Sequence, residues 1–305
     1  MPKSSLLVRL PNWIGDVIMC LPAIDLLQRH GITPILFGKP WIHELLQELK
    51  LPLYTWPRKL SDVKTLLKQF KESDMLLYPN SFSSAFDARW CGKKPIGYRI
   101  DGRSCLLSTR YSKPELDYEA AIFYHLSHVY LQTILKTKLN DDNPIIPQLP
   151  ISKDCLESAR QLLTAHNITS PYLLLCPFAH GMNRQKQPKK WPYWQQLCMA
   201  LPKKSYIICP GPHEIEEAHH YFPDAIILEH IPLNIYAALC HYAKLVIAND
   251  SGPMHIAAAV GANTIALFGA TDPQRSAPKN AEVLGKWQQW PNLEQVRNKI
   301  ELLAL

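Results

Sequence analysis

Short apolar runs recur along the chain at residues 5–10, 33–37, 74–78, 172–176, 205–209, 225–228, 245–248 and 264–268, and longer stretches of helical spacing separate many of them. Continuously apolar strands set between helices are the pattern of parallel sheets covered on both faces. The fold class expected is therefore α/β, with two Rossmann-like units. A helix is predicted over 16–30, kinked at Pro22. Others are predicted over 152–166, from Trp191 and Pro192 onward, and over 292–305. The Pro-rich stretch 140–151, which carries Asp141 and Asp142, reads as a linker between a domain at 1–150 and a domain at 151–305.

In open α/β sheets ligands collect beyond the carboxyl ends of the strands, and two marked turns directly follow strands, at 12–16 and 249–255. A site between the two domains is expected on that ground. The second turn reads Asn249, Asp250, Ser251, Gly252, Pro253, Met254, His255, with Ser251 or Gly252 as N-cap, Pro253 at the first helical position and Gly261 as the stop. Unpaired backbone N–H groups and the positive end of the helix dipole favour a phosphate or diphosphate there. An ordinary capped helix would show the same residues, so other segments must decide.

The first turn, Leu10 to Asp16, has a single glycine, Gly15, and the second strand ends Phe37, Gly38, Lys39 instead of on an acid. Nicotinamide and flavin chemistry is disfavoured on both counts. Asp16 places a carboxylate where it could take a proton from a hydroxyl, and it equally suits the helix dipole. After the run 172–176 and a loop through His180 come Arg184, Lys186, Lys189 and Lys190, four cations able to neutralise a diphosphate or simply to line a solvated loop. Trp191 and Trp194 read as packing residues at a helix start. Glu214 follows the run 205–209 and is placed either for a ribose diol or as a helix-start acid. The tract 213–217 is not His-Glu-x-x-His, His125 and His128 lack a third ligand, and there is no Asp-x-Asp.

Composition narrows the partners. The 305 residues are 47% hydrophobic and 19% charged, with a net charge of +7 that points to nucleic acid, membrane headgroups or a phosphorylated substrate. No RNA- or DNA-binding signature accompanies the charge, so nucleic acid ranks last. Eight scattered cysteines without a Cys-x-x-Cys pair suit buried, reduced thiols. The least polar stretch, 254–270, is too broken to span a bilayer, and the start of the chain meets Pro11, Asn12 and Asp16 too soon for a signal peptide. A cytoplasmic protein is expected.

Four segments in order carry a resemblance: Pro11, Asn12, Trp13, Ile14, Gly15, Asp16; then Tyr78, Pro79, Asn80, Ser81, Phe82 with Gly92, Pro95, Gly97, Tyr98; then Lys189, Lys190, Trp191, Pro192; then Asn249, Asp250, Ser251, Gly252, Met254, His255. The chain resembles the lipopolysaccharide heptosyltransferases of glycosyltransferase family 9, with Trp13 and the Pro79–Phe82 segment most similar to the heptosyltransferase II branch. The resemblance implies a GT-B architecture, two Rossmann-like domains with parallel sheets facing across a cleft. It implies ADP-heptose as donor and a heptosylated Kdo-lipid A inner core as acceptor, at the inner face of the cytoplasmic membrane, with no obligatory cofactor or metal. Carried over by position, Asp16 is the general base and Lys189, Asp250, Ser251, Gly252 and His255 contact nucleotide and diphosphate. Glu214 takes the ribose, Ile231 lines the adenine pocket, and Asn12, Asn80 and Ser81 lie on the acceptor side. A related family 9 transferase, a nucleotide-sugar epimerase and a nucleotide-binding assembly protein are the alternatives.

Overall fold

The computed structural model describes residues 4–136, 139, 145–168, 171–179, 181 and 187–304. It divides into two units, Met1–Pro147 and Gln148–Leu305. The first contains β1 (Ser4–Arg9), α1 (Ile14–Met19), α2 (Leu21–Arg29), β2 (Ile32–Gly38), α3 (Ile42–Leu46), β3 (Leu53–Thr55), α4 (Leu60–Leu67), β4 (Asp74–Leu77), α5 (Phe82–Trp90), β5 (Lys94–Tyr98), β6 (Thr109–Tyr111) and α6 (Glu119–Leu135). The second contains α7 (Lys153–Ala165), β7 (Leu173–Cys176), α8 (Trp194–Ala200), β8 (Tyr206–Ile208), α9 (Ile215–Tyr221), β9 (Ile226–Ile227), α10 (Leu233–Tyr242), β10 (Leu245–Asn249), α11 (Gly252–Ala259), β11 (Thr264–Leu267), α12 (Pro273–Ser276), β12 (Glu282–Leu284) and α13 (Leu293–Ala304).

Each unit folds around one parallel sheet, ordered β3-β2-β1-β4-β5-β6 in the first and β12-β11-β10-β7-β8-β9 in the second. Numbered within its own unit, the second sheet repeats the first: strands three, two, one, four, five, six. This doubly wound order places a topological switch point between β1 and β4, and another between β7 and β10. The central strands are apolar along their middles because helices cover both faces: Leu7, Phe37, Met75 and Leu77 enter one core, and Leu175, Ile208, Leu245, Ile247, Ile265 and Leu267 the other.

All eight apolar runs are strands, and four strands carried no such signal: β3, β5, β6 and β12. β3, β6 and β12 are three-residue edge strands, and β5 contains Pro95 and Gly97. The helix predicted over 16–30 is in fact two helices. α1 begins at Ile14 and ends at Met19, and Pro22, which lacks an N–H, sits in the first turn of α2. α8 opens at Trp194, later than predicted, with Trp191 and Pro192 in the turn before it. α13 docks Val296 and Ile300 into the second core. Asp141 and Asp142 of the predicted linker lie outside the described residues. All eight cysteines are free thiols, and among the described residues no helix is long and apolar enough to cross a membrane.

Candidate active site

In the second unit the switch point is built on Asn249, the last residue of β10, whose side chain is fully buried. Its Oδ1 accepts the Trp191 backbone N–H (2.9 Å) and the Trp194 indole N–H (3.0 Å). Its Nδ2 donates to the Pro177 carbonyl (2.9 Å) and more weakly to Cys176 (3.4 Å). One amide thus ties the end of β10 to the end of β7 and to the turn before α8. Trp191 and Trp194 are packing residues, buried to 1% and 2% exposure.

Asp250 follows, 5% exposed. Its Oδ2 accepts from Lys189 Nζ (2.7 Å) and Thr271 Oγ1 (2.6 Å), and its Oδ1 from Ser276 Oγ (3.3 Å). Burial by itself would raise this carboxyl, but the Lys189 charge, the hydrogen bonds from Lys189 and Thr271 and the nearby His255 outweigh it, and the net shift is downward. The carboxylate is therefore ionised and holds the Lys189 ammonium at the mouth of the switch point. The Lys189 stem runs beside Gly181, where an added Cβ would come within 3.3 Å of it.

α11 starts immediately afterward, with Ser251 as N-cap and Pro253 as the second helical residue, one position later than expected. No side chain caps this helix; the Ser251 hydroxyl donates to the Asn249 carbonyl instead (3.3 Å). Pro253 has no N–H, so the Ser251, Gly252 and Met254 N–H groups form the first-turn donor set, with the positive end of the helix dipole behind them. Gly261, at φ +76°, lies just beyond α11 in the left-handed conformation that ends helices. His255 is buried beneath this turn. Desolvation, opposed by Asp250 and assisted by Lys189, lowers its imidazole to about 4, so it is neutral at physiological pH.

The remaining nucleotide-side residues differ in their setting. Glu214 stands beyond the end of β8, the strand beside β7, and its Oε2 accepts the Gly211 N–H (2.7 Å). Ile231 is half-buried between β9 and α10. Lys190 is committed elsewhere: it pairs with Glu217 and lies over the rings of Phe178 (5.5 Å) and Tyr221 (5.6 Å). His180, Arg184 and Lys186 lie outside the described residues.

In the first unit the switch point gathers the turn after β1 and the turn after β4. Asp16 is half-buried in the first turn of α1. Asn12 accepts from Arg9 (2.9 Å), a buried arginine that also donates to the Phe37 carbonyl (3.2 Å) and lies over the Trp56 ring (4.9 Å). Arg103, fully buried, does the same for the second turn. Its Nε donates to the Tyr98 carbonyl (3.0 Å), its Nη2 to Asn80 Oδ1 (3.0 Å) and its Nη1 to the Pro79 carbonyl. Gly97 makes room for it, since a Cβ there would sit 2.9 Å from the guanidinium. Burial lowers both guanidinium groups to about 10, so both stay charged. Ser81 is the N-cap of α5 and accepts the Ser84 N–H (3.3 Å). His125 meets Tyr98 (2.9 Å) and His128 faces the Leu139 carbonyl (3.3 Å), and among the described residues no His, Cys, Asp or Glu cluster could hold a metal ion.

Sequence reasoning did not single out Arg9, Arg103, Thr271 or Ser276. Arg103, Thr271 and Ser276 act on residues distant in sequence, and Arg9, at the end of β1, reaches both its neighbour Asn12 and the distant Phe37 carbonyl.

The family model for glycosyltransferase family 9 (heptosyltransferase) matches residues 63–303. The chain belongs to glycosyltransferase family 9. It is a glycosyltransferase of the heptosyltransferase family, with the GT-B fold of two Rossmann-like domains. The matched stretch includes β4 and every nucleotide-side residue named above, and starts after Asn12 and Asp16. This family 9 chain is 25% identical to lipooligosaccharide heptosyltransferase 2 of Haemophilus ducreyi over 90% of its own length and 86% of the relative's. It is 24% identical to lipopolysaccharide heptosyltransferase 2 of Escherichia coli, over 88% and 83%. The solved structure of the E. coli ADP-heptose LPS heptosyltransferase II matches with a TM-score of 0.80 and 22% identity, over 98% of each chain.

Proposed function

We propose that this enzyme transfers a heptose from ADP-heptose to the inner core of lipopolysaccharide, with heptosyl-Kdo-lipid A as acceptor; the names of the heptosyltransferases it is similar to, one of them an ADP-heptose LPS heptosyltransferase, support the donor and the lipopolysaccharide acceptor. The observation that carries the reading is the uncapped start of α11 beside the Lys189–Asp250 pair at a switch point, which is a built anion cradle. The diphosphate would accept from the N–H groups of Ser251 and Gly252 and from Lys189, while Asp250, held by Thr271 and Ser276, would act by positioning that lysine. Glu214 would meet the ribose and Ile231 the adenine. Asn12, Asn80 and Ser81 would face the acceptor.

In the proposed reaction Asp16 takes the proton from the acceptor hydroxyl as that oxygen attacks the anomeric carbon opposite the leaving ADP, inverting the centre. Charge grows on the departing diphosphate, and the cradle binds it more strongly then than in the intact donor. Lys189 and the helix start supply that charge stabilisation without an obligatory metal or cofactor. The enzyme would work in the cytoplasm, in peripheral contact with the membrane that holds its acceptor.

Incubation with ADP-heptose and heptosyl-Kdo-lipid A, read by mass spectrometry, should show addition of one heptose and release of ADP. Asp16→Ala should abolish this product and leave the ADP affinity unchanged. Wild-type turnover in that variant would remove Asp16 from the mechanism, and conversion of the donor without acceptor would make the enzyme an epimerase.

A further inference from the structure

α5 presents to solvent a face that its packing does not account for. Its inner side, Ser84, Ala85 and Ala88, is buried, whereas Phe82, Phe86 and Trp90 are 49%, 36% and 62% exposed. Spaced four residues apart, the three rings share one side of the helix. They form a continuous ladder: Phe82 and Phe86 stack at 6.4 Å between centroids, and Phe86 and Trp90 at 5.7 Å. Single exposed apolar residues are ordinary, but three large rings stacked in a row form a contiguous patch of the kind that marks an interaction surface.

The charges around the ladder select its partner. Arg89 lies on the same side of the helix, reaching toward Ser108 (3.5 Å). Arg99 and Arg110 belong to the neighbouring strand segments, and both are exposed. The acid of α5, Asp87, is half-buried and faces Arg9 and Trp56. An apolar aromatic stripe with a cationic border suits an anionic lipid surface, where the rings enter the headgroup boundary and the cations meet phosphates. Two copies of this face would instead bring cationic borders together. Phe82 also follows Asn80 and Ser81 without a break, so docking α5 would set the turn after β4 at the headgroup plane.

We propose that the Phe82, Phe86 and Trp90 ladder of α5, with Arg89 beside it, anchors this enzyme on the anionic surface of the membrane that carries its acceptor. The proposal rests on the reading that the acceptor is lipid-borne.

The test is co-sedimentation of the full chain with phosphatidylethanolamine–phosphatidylglycerol vesicles and with phosphatidylcholine vesicles. Wild type should bind the anionic vesicles, more weakly at high salt, and bind phosphatidylcholine poorly. The Phe86→Ser/Trp90→Ser variant should bind at least about tenfold more weakly, and Trp90→Ser alone should show a smaller loss in the same direction. Turnover of both variants on a deacylated, water-soluble acceptor should equal wild type, and Met199→Ser, which alters an exposed apolar residue of the second unit, should bind vesicles normally. Wild-type vesicle binding by the double variant, or no binding by wild type, overturns the proposal. So does a wild-type dimer that the double variant breaks, which would assign the ladder to a second copy of the chain. Vesicle binding through the ladder with no heptosyl transfer to any acceptor would overturn the proposed reaction and leave the anchor standing.

Discussion

Lys189 and Asp250 illustrate how a single residue gains its role from its neighbours. A buried carboxylate is costly unless charged and neutral donors satisfy it, and here Lys189, Thr271 and Ser276 do so. Lys189→Met should weaken ADP binding on the order of tenfold to a hundredfold, measured by calorimetry, because it removes a charge-assisted donor and leaves an anion beside the diphosphate. Adding Asp250→Asn should restore much of the lost stability without restoring the affinity. Unchanged ADP affinity in Lys189→Met would remove the lysine from the cradle. His255 makes a separate prediction. Its imidazole titrates at about 4 in the folded protein and near 6.5 when unfolded. The unfolded chain therefore binds more protons between those values, and stability falls as pH drops from about 6.5 toward 4. Urea unfolding at pH 7.5 and pH 5 should show wild type losing about 2 kcal/mol more than His255→Gln. Equal losses would mean that the imidazole is not held neutral.

At the scale of elements, the turns matter more than the helices and strands they join. α5 begins where Ser81 caps it, but the preceding Pro79–Asn80 turn is shaped by Arg103, which arrives from beyond β5. Arg103→Met should cost about 3 kcal/mol or more, because several buried acceptors lose their donor together. It should also release Asn80, raising KM for the acceptor more than that for the donor. A variant as stable as wild type in urea would show the guanidinium to be dispensable. The broken α1–α2 helix has an equally local cause: Pro22 cannot donate to the turn before it, and the chain restarts the helix around it. The short strands β3, β6 and β12 are added at sheet edges, where pairing with an existing strand suffices and no long apolar run is needed.

For the whole molecule, the repeated strand order gives two switch points, with Asp16, Asn12, Asn80 and Ser81 at one, Lys189, Asp250, Ser251, Gly252 and His255 at the other, and Glu214 and Ile231 at neither, beyond β8 and β9. ADP should raise the thermal midpoint of unfolding by mass action. The shift should be the same in Asp16→Ala and smaller in Lys189→Met, and both the shift and turnover should persist in EDTA, since Lys189 and the α11 donors supply the charge the diphosphate needs. Loss of turnover in EDTA, recovered with a divalent cation, would show that a metal completes the cradle. The apolar runs, the glycine stop at Gly261 and the Ser251–Pro253 start were legible along the chain because they act within a few residues, through strand burial, backbone conformation and helix-end chemistry. The grip of Asn249 on three segments, the hold of Arg9 and Arg103 on two asparagines, the commitment of Lys190 to Glu217, and the hydroxyls that fix Asp250 were not. Apart from Arg9 and Asn12, which are three residues apart on either side of a strand end, those pairings span tens of residues, and only the folding of each sheet, which sets strand ends side by side, brings donor and acceptor within reach.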